Sequence, residues 1–214
     1  MSREAILKKI DAANTGRGSI DITSEAAALI AEPSAYRMSF EDASTLDHFV
    51  AKATSDTVTA TVEMLEVLSD VPSAVAQYIE KNALSEHIAL QPRDALTELD
   101  WGNITLSHSA SANEAVAVTF ADAGIAETGS LVFRTAPDAP VLLNFLPLHH
   151  LVVLQTSTIE RYMEQVFDRF GTDRDAQRRS LNIITGTSGT ADIEAKNVRG
   201  AHGPRFMHIF CIEH

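Results

Sequence analysis

Three turns in this 214-residue chain gather residue types that can do chemistry. In Glu127-Thr128-Gly129-Ser130 a carboxylate stands beside two hydroxyls and a glycine that frees the backbone. Between two strands, such a carboxylate can serve as a base, a nucleophile or a hydroxyl binder, or it can be an exposed turn residue. From Thr185 to Glu194, Gly186 and Gly189 release the backbone while Thr187, Ser188 and Thr190 supply hydroxyls. At a helix N-terminus that composition makes an anion cradle. It is not a phosphate loop, because the lysine is missing and the spacing is wrong. Asp192 and Glu194 count against a bare phosphate and suit the helix dipole, or a ligand's hydroxyl or amine. A capped helix end with no ligand is the alternative.

The third turn, Gly200-Ala201-His202-Gly203-Pro204, places an imidazole between glycines, and His149-His150 follow Pro147. Gly186-Thr187-Ser188-Gly189 falls one residue short of a nucleophile elbow, and no spacing supports a Ser188–His202 pair. Of eight histidines, His149, His150, His202, His208 and His214 come late, without the His-x-x-x-His spacing of a helical metal site. Hydrogen-bonded structural histidines are the preferred reading, and a metal held by His150, His202 and a carboxylate ranks last. Alternation sends His149 and His150 to opposite sides of an extended chain, and sets His208 and Phe210 opposite Met207 and Ile209.

These turns need elements to hold them. Residues 57–64, 87–90, 115–120, 130–134, 151–154, 182–184 and 207–212 read as strands, and 151–154 as a central strand buried on both faces. Residues 2–13, 40–53, 72–83 and 158–170 read as helices, with Pro72 suited to a first turn. Residues 174–179 read as a charged connection. Alternating strands and helices predict an open, mostly parallel α/β sheet with helices on both faces. In such sheets ligands bind past the strand C-termini, which predicts a site at the sheet's C-terminal edge. The breaks at residues 14–19 and Pro33 set off residues 1–37 as a helical or extended appendage to an α/β domain over residues 38–214.

A formal charge of −12 disfavours nucleic acid, which needs a basic face. From Arg161 to Arg205 basic residues outnumber acidic ones eight to six; solvated helix faces are the preferred reading, and an anionic ligand or acidic partner there is the alternative. The single cysteine, Cys211, excludes an internal disulfide and cannot alone hold an iron–sulfur cluster. With neither a signal peptide nor a membrane span in the sequence, a cytoplasmic protein is expected.

Four segments in order carry a resemblance: residues 127–130, residues 146–153 with Pro147 and His150, residues 185–194, and residues 200–204. Together they are similar to the lactate-utilisation protein C family, whose shared unit is the LUD domain. Thr187 stands where the family more often has proline, and His149 is an extra histidine beside the matched His150. The resemblance implies an open fold similar to sugar-phosphate isomerases and coenzyme A transferases. It also implies an accessory subunit, without a cofactor of its own, working with iron–sulfur partners that oxidise L-lactate to pyruvate. The implied binding residues are Thr128, Gly129, His150, Gly186, Thr187, Ser188, Thr190, Asp192, Glu194, His202 and Gly203. By analogy with the transferases, Glu127 becomes a nucleophile candidate. A stand-alone enzyme acting on a phosphorylated, acyl-CoA or folate-like ligand through Glu127 is the competing expectation.

Overall fold

Local signals set the element boundaries in the computed structural model, which describes residues 2–14, 21–32, 39–40, 43–111, 114–171, 179–191 and 197–214. By contacts the chain divides into two units, Met1–Glu41 and Asp42–His214. The first contains helices α1 (Arg3–Asn14) and α2 (Ile22–Ala31). Asp21 caps α2 by accepting from the amides of Thr23 and Ser24, yet α2 buries none of its residues. Ile6, Leu7 and Ile10 on α1 are likewise exposed, as are Ile22, Leu29 and Ile30 on α2.

The second unit begins with α3 (Thr45–Ala53), where the Ser44 hydroxyl accepts from the Asp47 amide at 3.0 Å. Next come β1 (Thr61–Leu65), α4 (Val71–Lys81), β2 (His87–Leu90), α5 (Asp94–Thr97), β3 (Thr105–Ser107) and β4 (Val116–Phe120). The chain goes on through β5 (Ala123–Ile125), β6 (Ser130–Arg134), β7 (His149–Gln155), β8 (Ile159–Glu160) and α6 (Met163–Phe170). It closes with β9 (Leu181–Ile184), β10 (Gly189–Ala191), β11 (Asn197–Arg199) and β12 (Phe206–Ile212).

Six strands form an all-parallel sheet in the order β1-β12-β7-β4-β2-β3. Its centre is the apolar run of β7, buried from His149 to Leu154 as a strand covered on both faces must be. Helix α4 packs Val71, Val75 and Ile79 on one face, against Leu151, Val153, Phe210 and Ile212. That arrangement is the predicted α/β fold.

The opposite face is covered differently from the sequence expectation. A second sheet, in the order β8-β5-β6-β9, lies there with α3, and Gly124 leaves room for Phe49, Leu154 and Ile159 to meet. The run at residues 182–184 therefore pairs antiparallel with β6 in this sheet, and does not join the parallel one. An apolar run of this length specifies a strand but not its neighbour. The helix expected over residues 158–170 begins only at Met163, because Ile159 and Glu160 first pair with Gly124 and Ile125. The expected charged connection lies largely outside the described residues. No described helix is long and apolar enough to cross a membrane.

Candidate functional site

The motif turns converge, but on the edge opposite to the one expected. Pro147 and Leu148 lie upstream of the parallel strand β7 and residues 200–204 upstream of β12, while the 185–188 loop, which follows β9 of the smaller sheet, meets Val58 and Thr59 ahead of β1. Backbone hydrogen bonds tie them together, from Ser188 N to the Pro204 carbonyl at 2.8 Å and from Thr187 N to the Val58 carbonyl at 3.2 Å. Arg205 N donates to the Leu148 carbonyl at 2.9 Å. The cluster is thus at the N-terminal edge of the sheet, which corrects the C-terminal-edge expectation. Order in the sequence carried this signal, since Pro147 and Pro204 precede the buried runs that they serve.

Residues 185–191 form no helix N-terminus either. Gly189–Ala191 pair with Asn197–Arg199 as an antiparallel hairpin, so the predicted cradle of helix amides does not form. Thr190 sits opposite Val198 in this hairpin, while Asp192 and Glu194 lie outside the described residues. Gly186 is held at φ +72 with a Cβ position that would overlap the Val58 carbonyl. Gly129, at φ +68, leaves 2.6 Å between its Cβ position and Ala53 N. Gly203 faces Ser188 with 2.9 Å between a Cβ position and the serine Cβ. Close approach of backbone at Gly129 and Gly186, and of the Ser188 side chain at Gly203, explains these glycines.

Hydroxyls line the interior of the cluster. Thr128 Oγ1 and Ser130 Oγ are 2.7 Å apart, and Ser130 Oγ lies 2.6 Å from Thr185 Oγ1. Thr187 Oγ1 meets Thr59 Oγ1 at 2.6 Å. Glu127, next to this row in sequence, contacts the start of α6. Its Oε2 accepts from the Met163 amide at 3.4 Å, a long contact that seats the carboxylate at the positive end of α6. Its own amide donates to the Arg161 carbonyl at 3.0 Å.

The histidine pair splits as alternation requires. His150 is fully buried, with Nε2 2.8 Å from Thr119 Oγ1 and its ring 5.7 Å from that of Phe133. Its Nδ1 has no hydrogen-bond partner among the described residues, and burial pushes its pKa down to about 3. It is therefore a neutral imidazole near pH 7. His149 takes the opposite face, where Nδ1 lies 3.0 Å from the Tyr78 hydroxyl and the ring stacks 4.5 Å from Phe206. Burial lowers its pKa as well. His202 is exposed on the rim of a cleft of about 540 Å³ lined by Glu114, Pro147, Leu148 and Gly203. His150 and His202 are not brought together in this cleft, and no group of three or more His, Cys, Asp or Glu among the described residues is placed to hold a metal.

The LUD domain family model matches residues 50–212, which takes in every element from the end of α3 to β12. The chain belongs to the LUD domain family. It is 31% identical over 129 residues to protein YkgG of Escherichia coli, covering 59% of this chain and 55% of that one. Lactate utilization protein C of Macrococcus caseolyticus is 29% identical over 159 residues, covering 66% and 68%. Lactate utilization protein C of an Exiguobacterium species is 33% identical over 92 residues, covering 42% and 40%. This chain spans about half the length of the first curated relatives it matches. A DUF162 family protein from Deinococcus radiodurans has the same fold, with a TM-score of 0.61 and 17% identity over 82% of this chain and 99% of that one.

Within this LUD domain the sequence reading missed a second polar cleft. It lies beside α4 and β1, lined by Thr59, Thr61, Glu63, Tyr78, Lys81 and His208, and has a volume of about 540 Å³. A positive-φ threonine at its rim and a buried histidine on β12 are the features that define it. In the sequence, a lone Thr-x-Glu on a strand gives no sign of a cleft.

Proposed function

We propose that this LUD protein is a cytoplasmic, cluster-free component of L-lactate utilisation, acting beside iron–sulfur partners that oxidise lactate to pyruvate. The observation that carries the reading is the similarity to lactate utilization protein C of Macrococcus caseolyticus, which extends over two thirds of both chains. The state of Cys211 supports the division of labour. It is fully buried, and one thiol cannot supply the several thiolate ligands that a cluster needs. Thiolates for any cluster then come from other chains.

The surface around the motif turns supports a contact with such a partner. Phe145, Leu146 and Leu148 are exposed beside Pro147 on the wall of the His202 cleft. An apolar wall beside the exposed ring of His202 suits burial against another protein, with that polar group setting its position. Capture of the tagged full chain from cells grown on L-lactate tests the proposal. Co-purification of cysteine-rich proteins, iron and lactate-dependent dye reduction is the expected result. A chain recovered alone and colourless, from cells whose growth on lactate survives its deletion, would overturn it.

A further inference from the structure

The cleft beside α4 contains an ordered row of three side chains that the lactate reading does not use. His208 is 9% exposed, and its two ring nitrogens face different partners. Nε2 lies 3.3 Å from Glu63 Oε2, and Nδ1 lies 2.6 Å from Thr61 Oγ1. These distances assign the tautomer. A carboxylate only accepts, so Nε2 carries the hydrogen and Nδ1 is left as a bare acceptor. The Thr61 hydroxyl must therefore donate to Nδ1, in preference to the Met207 carbonyl at 3.3 Å. Burial holds the pKa of His208 below its ordinary value, with Glu63 opposing that shift and Lys81 reinforcing it. The ring is consequently a neutral base near pH 7.

A hydroxyl donating to an imidazole whose far nitrogen is oriented by a carboxylate is the arrangement that activates an oxygen nucleophile. Thr61 is exposed on the outermost strand of the sheet, at the wall of a cleft of about 540 Å³. Lys81 and Tyr78 stand on the opposite wall, and Phe206 and Ala74 supply apolar surface. At the rim, Thr59 holds φ +65, a strained conformation for a β-branched residue. It is kept there by its amide bond to the Ser55 carbonyl at 2.8 Å and by its hydroxyl contact with Thr187. Strain of this kind gathers at sites that do something. Glu127, a nucleophile candidate from the sequence, meets the Met163 amide at the start of α6, whereas the Thr61 hydroxyl meets an imidazole.

We propose that Thr61, His208 and Glu63 form a nucleophile relay, and that this cleft takes small acyl esters or thioesters. Thr61 Oγ1 bonds to the acyl carbon as its proton passes to His208 Nδ1. Glu63 stabilises the imidazolium, and Lys81 together with the open edge of β1 faces the developing oxyanion. The proton then leaves with the alcohol or thiol, and water attacks the acyl-threonine by the same route, restoring the hydroxyl and releasing the acid.

The test uses the full chain with 4-nitrophenyl acetate, following nitrophenol release and mapping the acetyl group by peptide mass spectrometry. Acetyl on Thr61 is expected. Thr61→Val should abolish both signals, and Thr61→Ser should keep an adduct at position 61. Glu63→Gln should slow release by about a hundredfold. Absence of an adduct, an adduct on Lys81 alone, or release undiminished in folded Thr61→Val would overturn the proposal. Because none of these readouts involves lactate or a partner protein, their failure leaves the lactate reading to be judged by its own experiment.

Discussion

Replacing Gly186 by alanine should destabilise the domain far more than replacing Gly102, although both sit at positive φ, +72 and +55. The left-handed conformation costs alanine about 1–2 kcal/mol at either position. At Gly102 nothing among the described residues lies within 4 Å of the new methyl, so the penalty should stop there. At Gly186 the methyl would overlap the Val58 carbonyl oxygen and stand 2.6 Å from its carbon and 2.9 Å from its Cα. Backbone cannot rotate aside as a side chain can, so the 55–59 turn must move, at a further cost of about 1–3 kcal/mol. The expected totals are about 2–5 kcal/mol at Gly186 and about 1–2 kcal/mol at Gly102. At roughly 2–4 °C per kcal/mol for a domain of this size, the excess should lower Tm by roughly 6 °C. Urea and thermal unfolding of the two variants, followed by circular dichroism, measure the difference. Equal losses would refute the reasoning, since the 185–188 loop would then not be locked against the start of β1.

Acid should destabilise the fold through its buried imidazoles. His150 is neutral in the folded chain down to about 3 but protonates near 6.5 when unfolded. Below about 6.5 the unfolded chain binds the extra proton, so stability falls on acidification by up to about 1.4 kcal/mol per pH unit from this group and is level above that range. His149 and His208, also lowered, act with the same sign. Urea midpoints across this range should show a shallower slope for His150→Asn, and an unchanged slope would count against the assignment. Glu127→Gln should remove only the charge at the start of α6, costing about 0.3–1 kcal/mol. A Tm shift of a few degrees is expected, and a complete loss of lactate-dependent dye reduction in the captured complex would instead restore Glu127 as a reactive carboxylate. Cys211, buried and pushed up to about 12, should resist iodoacetamide in the folded protein and react only after unfolding in urea. Rapid labelling of the native chain would contradict that.

The sequence made the parallel sheet legible because its strands are short, apolar and punctuated. β2 occupies the residues expected of it, as does β6 of the smaller sheet, and Pro72 opens α4. Partner choice was not legible. Leu181–Ile184 is half-buried throughout, so alternation could not separate a two-faced strand of the main sheet from a strand in the smaller one. Ile159 and Glu160 carry a helical spacing into α6, and only their pairing with β5 overrides it. For the site, residue types were readable in Thr128, Ser130, Thr185 and Thr187, whose hydroxyls do meet one another or Thr59. Placement was not, because the rule that ligands lie past strand C-termini was extended to the Pro147 and residue 200–204 turns, which precede their strands, and to the turns after β5 and β9, which belong to the smaller sheet. The Thr61–His208 contact joins residues 147 positions apart in the sequence and has no local signature.

Much of the LUD motif solves a packing problem, and this separates the residues that shape the site from those able to react. Gly129 and Gly186 bring two loops against the end of α3 and the start of β1, and Gly203 admits Ser188. Substituting these glycines moves backbone, so a lost function there reports position and not chemistry. The groups left with open chemistry are few: the exposed ring of His202, the hydroxyl row from Thr128 to Thr185, and the pair Thr59–Thr187. That last contact bridges the motif turn to the rim of the cleft that contains Thr61 and His208. A change at Thr187 should therefore be felt in both places, through the strained Thr59. A change at His202 should be felt only in its own cleft, which gives the two surfaces separate handles.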